Sequence, residues 1–279
     1  MLTLGDNPCL PPLLADFFGW QHDDFGVWIN KKYVSLPHFS YGNSVLIPET
    51  ISAKRWEVRS LKQVSPYCFN NKVLSWLLLE EDETTQLARF SSNLRRKIQK
   101  SQSVKFELVA GGVEYVDEFY SLFQQTMHRF GSPALSSEFY RHLISNYCNG
   151  ICKVFLIYFD RNVVGASILL SYKTFFENCW IATDPKFNKR NVSYSLHWAM
   201  ITHAIQQKAE IYSFGRSTIN SGVHQYKRQW NTTDHILYRN FSHPPGKDVR
   251  SFTPLSKIWK YTPSIITNSI GPKIAKYIY

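Results

Sequence analysis

Between residues 153 and 183 three apolar, β-branched and aromatic runs follow one another with almost nothing between the first two. Lys153–Phe159 and Val163–Leu170 flank only Asp160-Arg161-Asn162, so they predict a hairpin, and Phe175–Thr183 predicts a third strand beside it. Short strands this close commit the chain to an antiparallel sheet, and what surrounds them decides the class. Upstream, Val116, Phe119, Tyr120, Phe123 and Met127 recur along one helical face that ends at Gly131-Ser132-Pro133, and Phe139, Leu143, Ile144 and Tyr147 mark a second, shorter helix. Downstream, Leu196, Met200, His203 and Ala204 predict a helix over Ser195–Lys208, followed by a short strand Ile211–Phe214 ending at Gly215 and a last strand at Ile236–Tyr238. With a strand at Val104–Val109, turned by Gly111-Gly112, the order is β-α-α-β-β-β-α-β-β, an α+β domain.

The first 75 residues are richer in Pro, Gly and aromatics and carry little helical periodicity; Trp28–Ile29 and Val45–Ile47 predict short strands. An apolar run, Leu74–Leu79, meets the acidic block Glu80–Glu83. Next comes a basic stretch, Arg89, Arg95, Arg96, Lys97, Lys100 and Lys105, uninterrupted by acid. It reads either as a solvated helix face or as a phosphate-contacting helix in a cleft. The net charge of +11 attracts phosphates, nucleic acid and anionic membranes without choosing among them.

Five irregularly spaced cysteines, with no CxxC pair, predict reduced thiols and no zinc site. The first residues lack a basic then apolar leader, and no apolar stretch is long enough for a bilayer. The expected location is cytoplasmic, with the inner face of the cytoplasmic membrane left open. No P-loop, G-x-S-x-G or H-E-x-x-H motif is present.

The most specific segment is Phe214-Gly-Arg-Ser-Thr-Ile-Asn-Ser-Gly-Val-His-Gln-Tyr-Lys-Arg-Gln-Trp230, placed after a predicted strand. Gly215 allows a sharp turn or close backbone approach, Arg216 offers a planar fork for a carboxylate or phosphate, and Ser217 adds a hydroxyl. After Gly222, Tyr226 and Lys227 can re-enter a pocket beside Trp230. Each has a plainer reading: Arg216 as a structural arginine on helix carbonyls, Lys227 as a surface lysine, Trp230 as core. His38 reads more readily as a structural histidine than as a base, and Tyr41 and Gly42 as a turn.

This segment resembles the FemAB-like family, which carries an F-G-R-S turn followed by F/Y-K-x-x-W/F. Further segments are similar to that family: Tyr33-Val-Ser-Leu-Pro-His-Phe-Ser-Tyr-Gly42 in its first domain, Asn93-Leu-Arg-Arg-Lys-Ile-Gln-Lys100 as its basic helix, Met127–Pro133 as its M-x-x-x-G-[ST]-P helix end, and Ile258-Trp-Lys-Tyr-Thr-Pro263 with Gly271-Pro272. The likeness spans roughly residues 33 to 272 and is strongest to the variants that accompany exopolysaccharide and PEP-CTERM surface-protein export systems. It implies a GNAT-like mixed sheet flanked by helices, in tandem: a shortened first domain at 1–93, a second at 94–243 carrying the site, and a basic tail at 244–279 packing back on the first.

The resemblance also implies transfer of an activated acyl or aminoacyl group to an amine. The acceptor would be an anionic nucleotide- or lipid-linked precursor of the cell envelope, of peptidoglycan or exopolysaccharide. The co-substrate would be acyl-CoA or aminoacyl-tRNA, with no tightly bound cofactor and no metal; tRNA and a peripheral membrane contact are the further partners it allows. Lys227 matches the family's motif lysine near the transferring carbonyl, where a fixed cation stabilises developing negative charge, and Tyr226 would orient it or donate to the leaving oxygen. Gly215, Arg216, Ser217, Trp230, Arg95, Arg96, Lys100 and Tyr41 would bind substrate. Where GNAT proteins carry a Gly-rich pyrophosphate turn, this chain reads Lys186-Phe-Asn-Lys-Arg-Asn-Val-Ser193, without glycine, which argues against acetyl-CoA in particular. The readings set against an enzyme are a nucleic-acid-binding module without catalysis and a partner protein with a degenerate acyltransferase fold.

Overall fold

The computed structural model describes residues 2–36, 39, 55–246 and 253–278. Val45–Ile47, His38, Tyr41 and Gly42 lie outside them.

The predicted hairpin is β7 (Cys152–Phe159) and β8 (Asn162–Tyr172), and the third strand is β9 (Phe175–Thr183). The turn between β7 and β8 needs left-handed backbone at Asp160 and Arg161, with φ of 50° and 64°. The Asp-Arg-Asn sequence supplies a residue type that tolerates this at its first position. The strand expected at Val104–Val109 is β6 (Glu107–Gly111), two to three residues later, and it pairs along β7.

β10 (Ile211–Thr218) continues four residues beyond the expected end, because Gly215 does not turn the chain. It takes φ of +66° inside the strand and makes a bulge: the register against β5 (Cys68–Leu78) shifts between Ser213 and Arg216. A single left-handed residue bends a strand without ending its ladder. β11 (Thr233–Phe241) completes this part of the sheet.

Eleven strands form one sheet in the order β1-β2-β3-β4-β11-β5-β10-β9-β8-β7-β6, with β1 (His22–Asp23), β2 (Gly26–Ile29), β3 (Lys32–Ser35) and β4 (Trp56–Ser60) at one end. β5, which precedes residue 93, sits between β11 and β10, so the early segment contributes a strand to the middle of the sheet that carries the motif.

Two apolar clusters cover the faces. One gathers Leu10, Leu13 and Leu14 of α1 (Leu10–Phe18), Phe119 and Phe123 of α4 (Val116–Phe130), Phe139 and Tyr140 of α5 (Ser137–Asn146), and Ile168 and Trp180. The other gathers Leu94 and Ile98 of α3 (Ser92–Gln102), Leu196, Trp198 and Met200 of α6 (Val192–Gln206), and Phe155, Tyr212 and Trp230. α2 (Glu83–Arg89) leads into α3, capped by Asp82, whose side chain accepts from Thr85 N–H.

The tail contains α8 (Thr253–Tyr261) and α9 (Ser264–Ile278). Both lie against α4, inside 94–243, whereas the sequence suggested the first domain. Local chemistry explains the placement. α4 ends on Gly131 at φ of 74°, where a Cβ would collide with the Ser256 carbonyl, and His128 Nε2 lies 2.9 Å from the Thr262 carbonyl. Only a residue without a side chain lets α8 approach there.

Candidate functional site

β9 and β10 run parallel and pair over three residues only, Phe175–Glu177 against Ile211–Ser213. Beyond that the bulge at Gly215 carries β10 away, and a cavity of about 630 Å³ opens between the strands. Asn178–Thr183 of β9 and Phe214–Arg216 of β10 line it. Phe123, Met127 and Phe130 of α4, Ser193 and His197 of α6, and Tyr226 and Lys227 of α7 (Gly222–Arg228) complete the wall. The strand backbones stay close at the mouth of the bulge, since a Cβ on Gly215 would sit 3.3 Å from the Asn178 carbonyl.

Lys227 is buried at 7 % exposure. Its Nζ donates to the carbonyls of Gly215, at 2.9 Å, and Arg216, at 3.0 Å. An ammonium has three N–H donors, so one remains for a ligand. Burial pulls its pKa down to about 7, with Arg216 adding to the shift while Glu177 and Asp234 oppose it. Glu177, also buried, lines the same cavity and accepts from Ser213 Oγ at 2.7 Å. Lysine and glutamate thus line one cavity, and burial brings the Lys227 pKa close to neutral pH.

The helix that presents Lys227 is pinned from behind. The Asn220 N–H donates to Nδ1 of His224 at 3.0 Å, which puts the ring proton on Nε2, 2.8 Å from Asp234 Oδ2. Ser75 Oγ donates to the other oxygen of Asp234 at 3.1 Å. The dyad ties α7 to β11 and β5. His197 stays neutral: burial, then Lys227, lowers its pKa to about 3, and its Nδ1 lies 2.9 Å from the Tyr212 hydroxyl. Burial pushes the Tyr226 phenol well above its ordinary value. Its hydroxyl lies beside Ser193 and the Trp230 indole without a hydrogen bond of normal geometry.

Of the residues singled out in the sequence, Lys227, Tyr226, Gly215 and Arg216 meet at this cavity. Ser217 is buried with its hydroxyl unpartnered among the described residues, and it is not on the cavity wall. Trp230 is fully buried behind the wall, stacked on Tyr194 with ring centroids 5.7 Å apart. The basic helix lies elsewhere. Arg95 donates to the carbonyls of Ala88 and Phe90, Arg96 to Asn93, and Lys100 is exposed. The lysine between them, Lys97, reaches Tyr194 and Gln229 instead. Tyr41 lies outside the described residues.

Sequence reasoning missed Glu177, Asn178, His197 and the His224–Asp234 dyad. Glu177 and Asn178 did leave a trace, as two adjacent polar residues inside an otherwise apolar strand; the dyad left none, since its partners are ten residues apart on different elements. At the place of the missing Gly-rich turn, Asn191 adopts φ of 59° and precedes α6, whose first turn reaches the cavity through Ser193. Asparagine supplies the left-handed conformation that glycine would. Among the described residues no cluster of His, Cys, Asp and Glu could hold a metal ion, and no helix is long and apolar enough to cross a membrane.

Comparison with known proteins agrees with this geometry. The acetyltransferase (GNAT) domain family matches residues 88–228, half of the chain. No curated protein matches. Among solved structures, FemX superposes with a TM-score of 0.61 at 10% identity, over 81% of this chain and 89% of its own. L-PGS from Bacillus licheniformis gives 0.54 at 10% identity, over 87% and 84%. The parallel strands that part over a cavity are the mark of an acyltransferase of the GNAT class. The chain belongs to the acetyltransferase (GNAT) domain family, with the FemAB-like form of its fold.

Proposed function

We propose that the protein transfers an acyl or aminoacyl group from aminoacyl-tRNA or acyl-CoA to an amine of a cell-envelope or exopolysaccharide precursor. The observation that carries this is that Lys227 and Glu177, both buried, line one cavity of about 630 Å³ between two parting strands.

The chemistry fits those groups. The amine nitrogen attacks the carbonyl carbon of the donor ester or thioester, and the carbonyl π electrons move onto oxygen. The remaining N–H of Lys227 stabilises that oxyanion, most strongly where water is excluded. Glu177 takes the proton that the nitrogen loses. The C–O or C–S bond then breaks as the carbonyl re-forms. Tyr226 gives its proton to the leaving oxygen or sulfur and regains one from water, while Glu177 releases the proton it took to water. Arg216 and the first turn of α6, both on the cavity wall, would hold an anionic part of the donor. The apolar rim of Phe123, Met127, Phe130 and Trp180 suits a hydrophobic portion of either substrate. In this reading the segment 1–93 is a shortened GNAT-like domain that lends β5 to the sheet of the second.

A thermal-shift screen of wild type and Lys227→Ala with acyl-CoAs, charged and uncharged tRNA and nucleotide-sugar precursors tests it. One class should raise the melting temperature of wild type, because a ligand bound only to the native state adds stability by mass action. If none does, the transfer reading fails.

A further inference from the structure

Among the described residues, six of the 17 exposed large apolar side chains lie in the two C-terminal helices, of 9 and 15 residues. On α9, Thr267, Gly271 and Ala275 are buried toward the rest of the protein, while Ile266, Ile270, Ile274 and Tyr277 are exposed. At about 100° per residue these four fall within an arc of about 80°, and Lys273 and Lys276 follow on the edge away from the buried side. On α8, Ile258 and Tyr261, three residues apart on one face, are 63 % and 88 % exposed. Trp259, between them, faces α4. Residues 253–278 contain four lysines and no acid. The helices are therefore already packed by one face, and a second face is left apolar and edged by cations.

We infer that the outer faces of α8 and α9 form a docking surface for an anionic lipid bilayer. Protein–protein interface cores are depleted in lysine, and a second copy of this chain would bring its own lysines against these. A bilayer interface rewards this composition: isoleucines enter the acyl boundary, tyrosines sit at headgroup level, and lysines meet the anionic headgroups. The geometry also gives the contact a use. α4 carries Tyr120, Gln124 and His128 on the side of α8 and α9, and Phe123, Met127 and Phe130 on the wall of the cavity. One helix thus separates the docking surface from the cavity. The inference stands whatever group the cavity transfers.

Co-sedimentation of the full chain with phosphatidylcholine vesicles, and with vesicles containing phosphatidylglycerol, tests it. Wild type should pellet with the anionic vesicles only, and less at high salt. Ile270→Glu/Ile274→Glu and Lys273→Glu/Lys276→Glu should each lower the partition coefficient by roughly tenfold or more, with unchanged circular dichroism. Three results would overturn the proposal. The first is no binding of wild type to anionic vesicles, and the second is equal binding to neutral ones. The third is a concentration-dependent dimer in sedimentation velocity that Ile270→Glu/Ile274→Glu abolishes, which would show that a second copy covers the face.

Discussion

Two buried charge clusters sit in the same sheet and behave in opposite ways. Near its β1 end, Glu57 of β4 accepts from Arg59 Nε at 3.1 Å, Arg239 Nε at 2.9 Å and Lys32 Nζ at 2.6 Å. Burial would raise its pKa, but Arg59, Arg239 and Lys32 outweigh that and hold the carboxyl well below the ordinary glutamate range. At the cavity, Lys227 has two neutral carbonyls for direct partners, and its pKa falls to about 7. A charge met by direct opposite charges is fixed in one state and serves to hold strands together. A charge met mainly by burial and carbonyl dipoles stays poised to titrate, which is what acid–base or oxyanion chemistry needs. The difference lies in the partners, since both groups are almost fully buried.

Glu57→Gln should give the largest effect. It leaves Arg59 and Arg239 buried with a neutral partner, and the expected loss of stability in urea denaturation is about 3–5 kcal/mol. Transfer by the molecules that remain folded should be unchanged; a loss of turnover per folded molecule would break the contrast between the clusters. Next, Lys227→Ala should lower the rate of acyl transfer by about 10²–10³ with circular dichroism retained. A rate within threefold of wild type, on the order of 1 kcal/mol or less, would remove Lys227 from the chemistry.

The third test is the pH at which each cluster acts. Glu57 has a lowered pKa, so its stabilisation is present above the unfolded value of about 4.3 and is lost as pH falls through that region. Lys227 also has a lowered pKa, but it is a base. Between about 7 and about 10.4 the unfolded chain binds its proton and the folded one does not, so stability rises with pH there. Wild type should therefore gain melting temperature over Lys227→Met from pH 7 to pH 10, and show no further change relative to it between pH 5 and 6. The oxyanion role predicts the reverse for rate, with activity falling as pH rises through about 7; a rise there would make neutral Lys227 the base.

The smallest effect is expected of His224→Ala, which frees α7 without touching the cavity. A drop in transfer of about tenfold, partly restored by His224→Gln, would mark it as positioning Lys227.

From 107 to 241 the order of strands and helices was legible in the sequence, apart from the seven-residue α7, because apolar patterning is a local property. Continuous apolar runs in β7–β9 and period 3.6 in α4 need no partner to be read. The segment Phe214–Trp230 stood out because its motif is local too, and Lys227, Tyr226, Gly215 and Arg216 line one cavity. What failed was reach. Arg95 and Lys100 share a basic run, yet a helix only four residues into its course spends Arg95 on the carbonyls behind it. Trp230 carries an indole suited equally to core or site, and burial behind Tyr194 and Phe90 decided for the core.

By itself, then, the sequence determined the class of fold, the position of the motif and the residue types that could do acyl transfer, since each follows from spacing along one segment. Only the tertiary structure decided that β5 enters between β11 and β10, that the tail lies on α4, and that Glu177 and Lys227 line one cavity beside the left-handed Gly215. Those depend on residues distant in the chain coming together, and it is the burial this imposes on Lys227 that lowers its pKa to about 7.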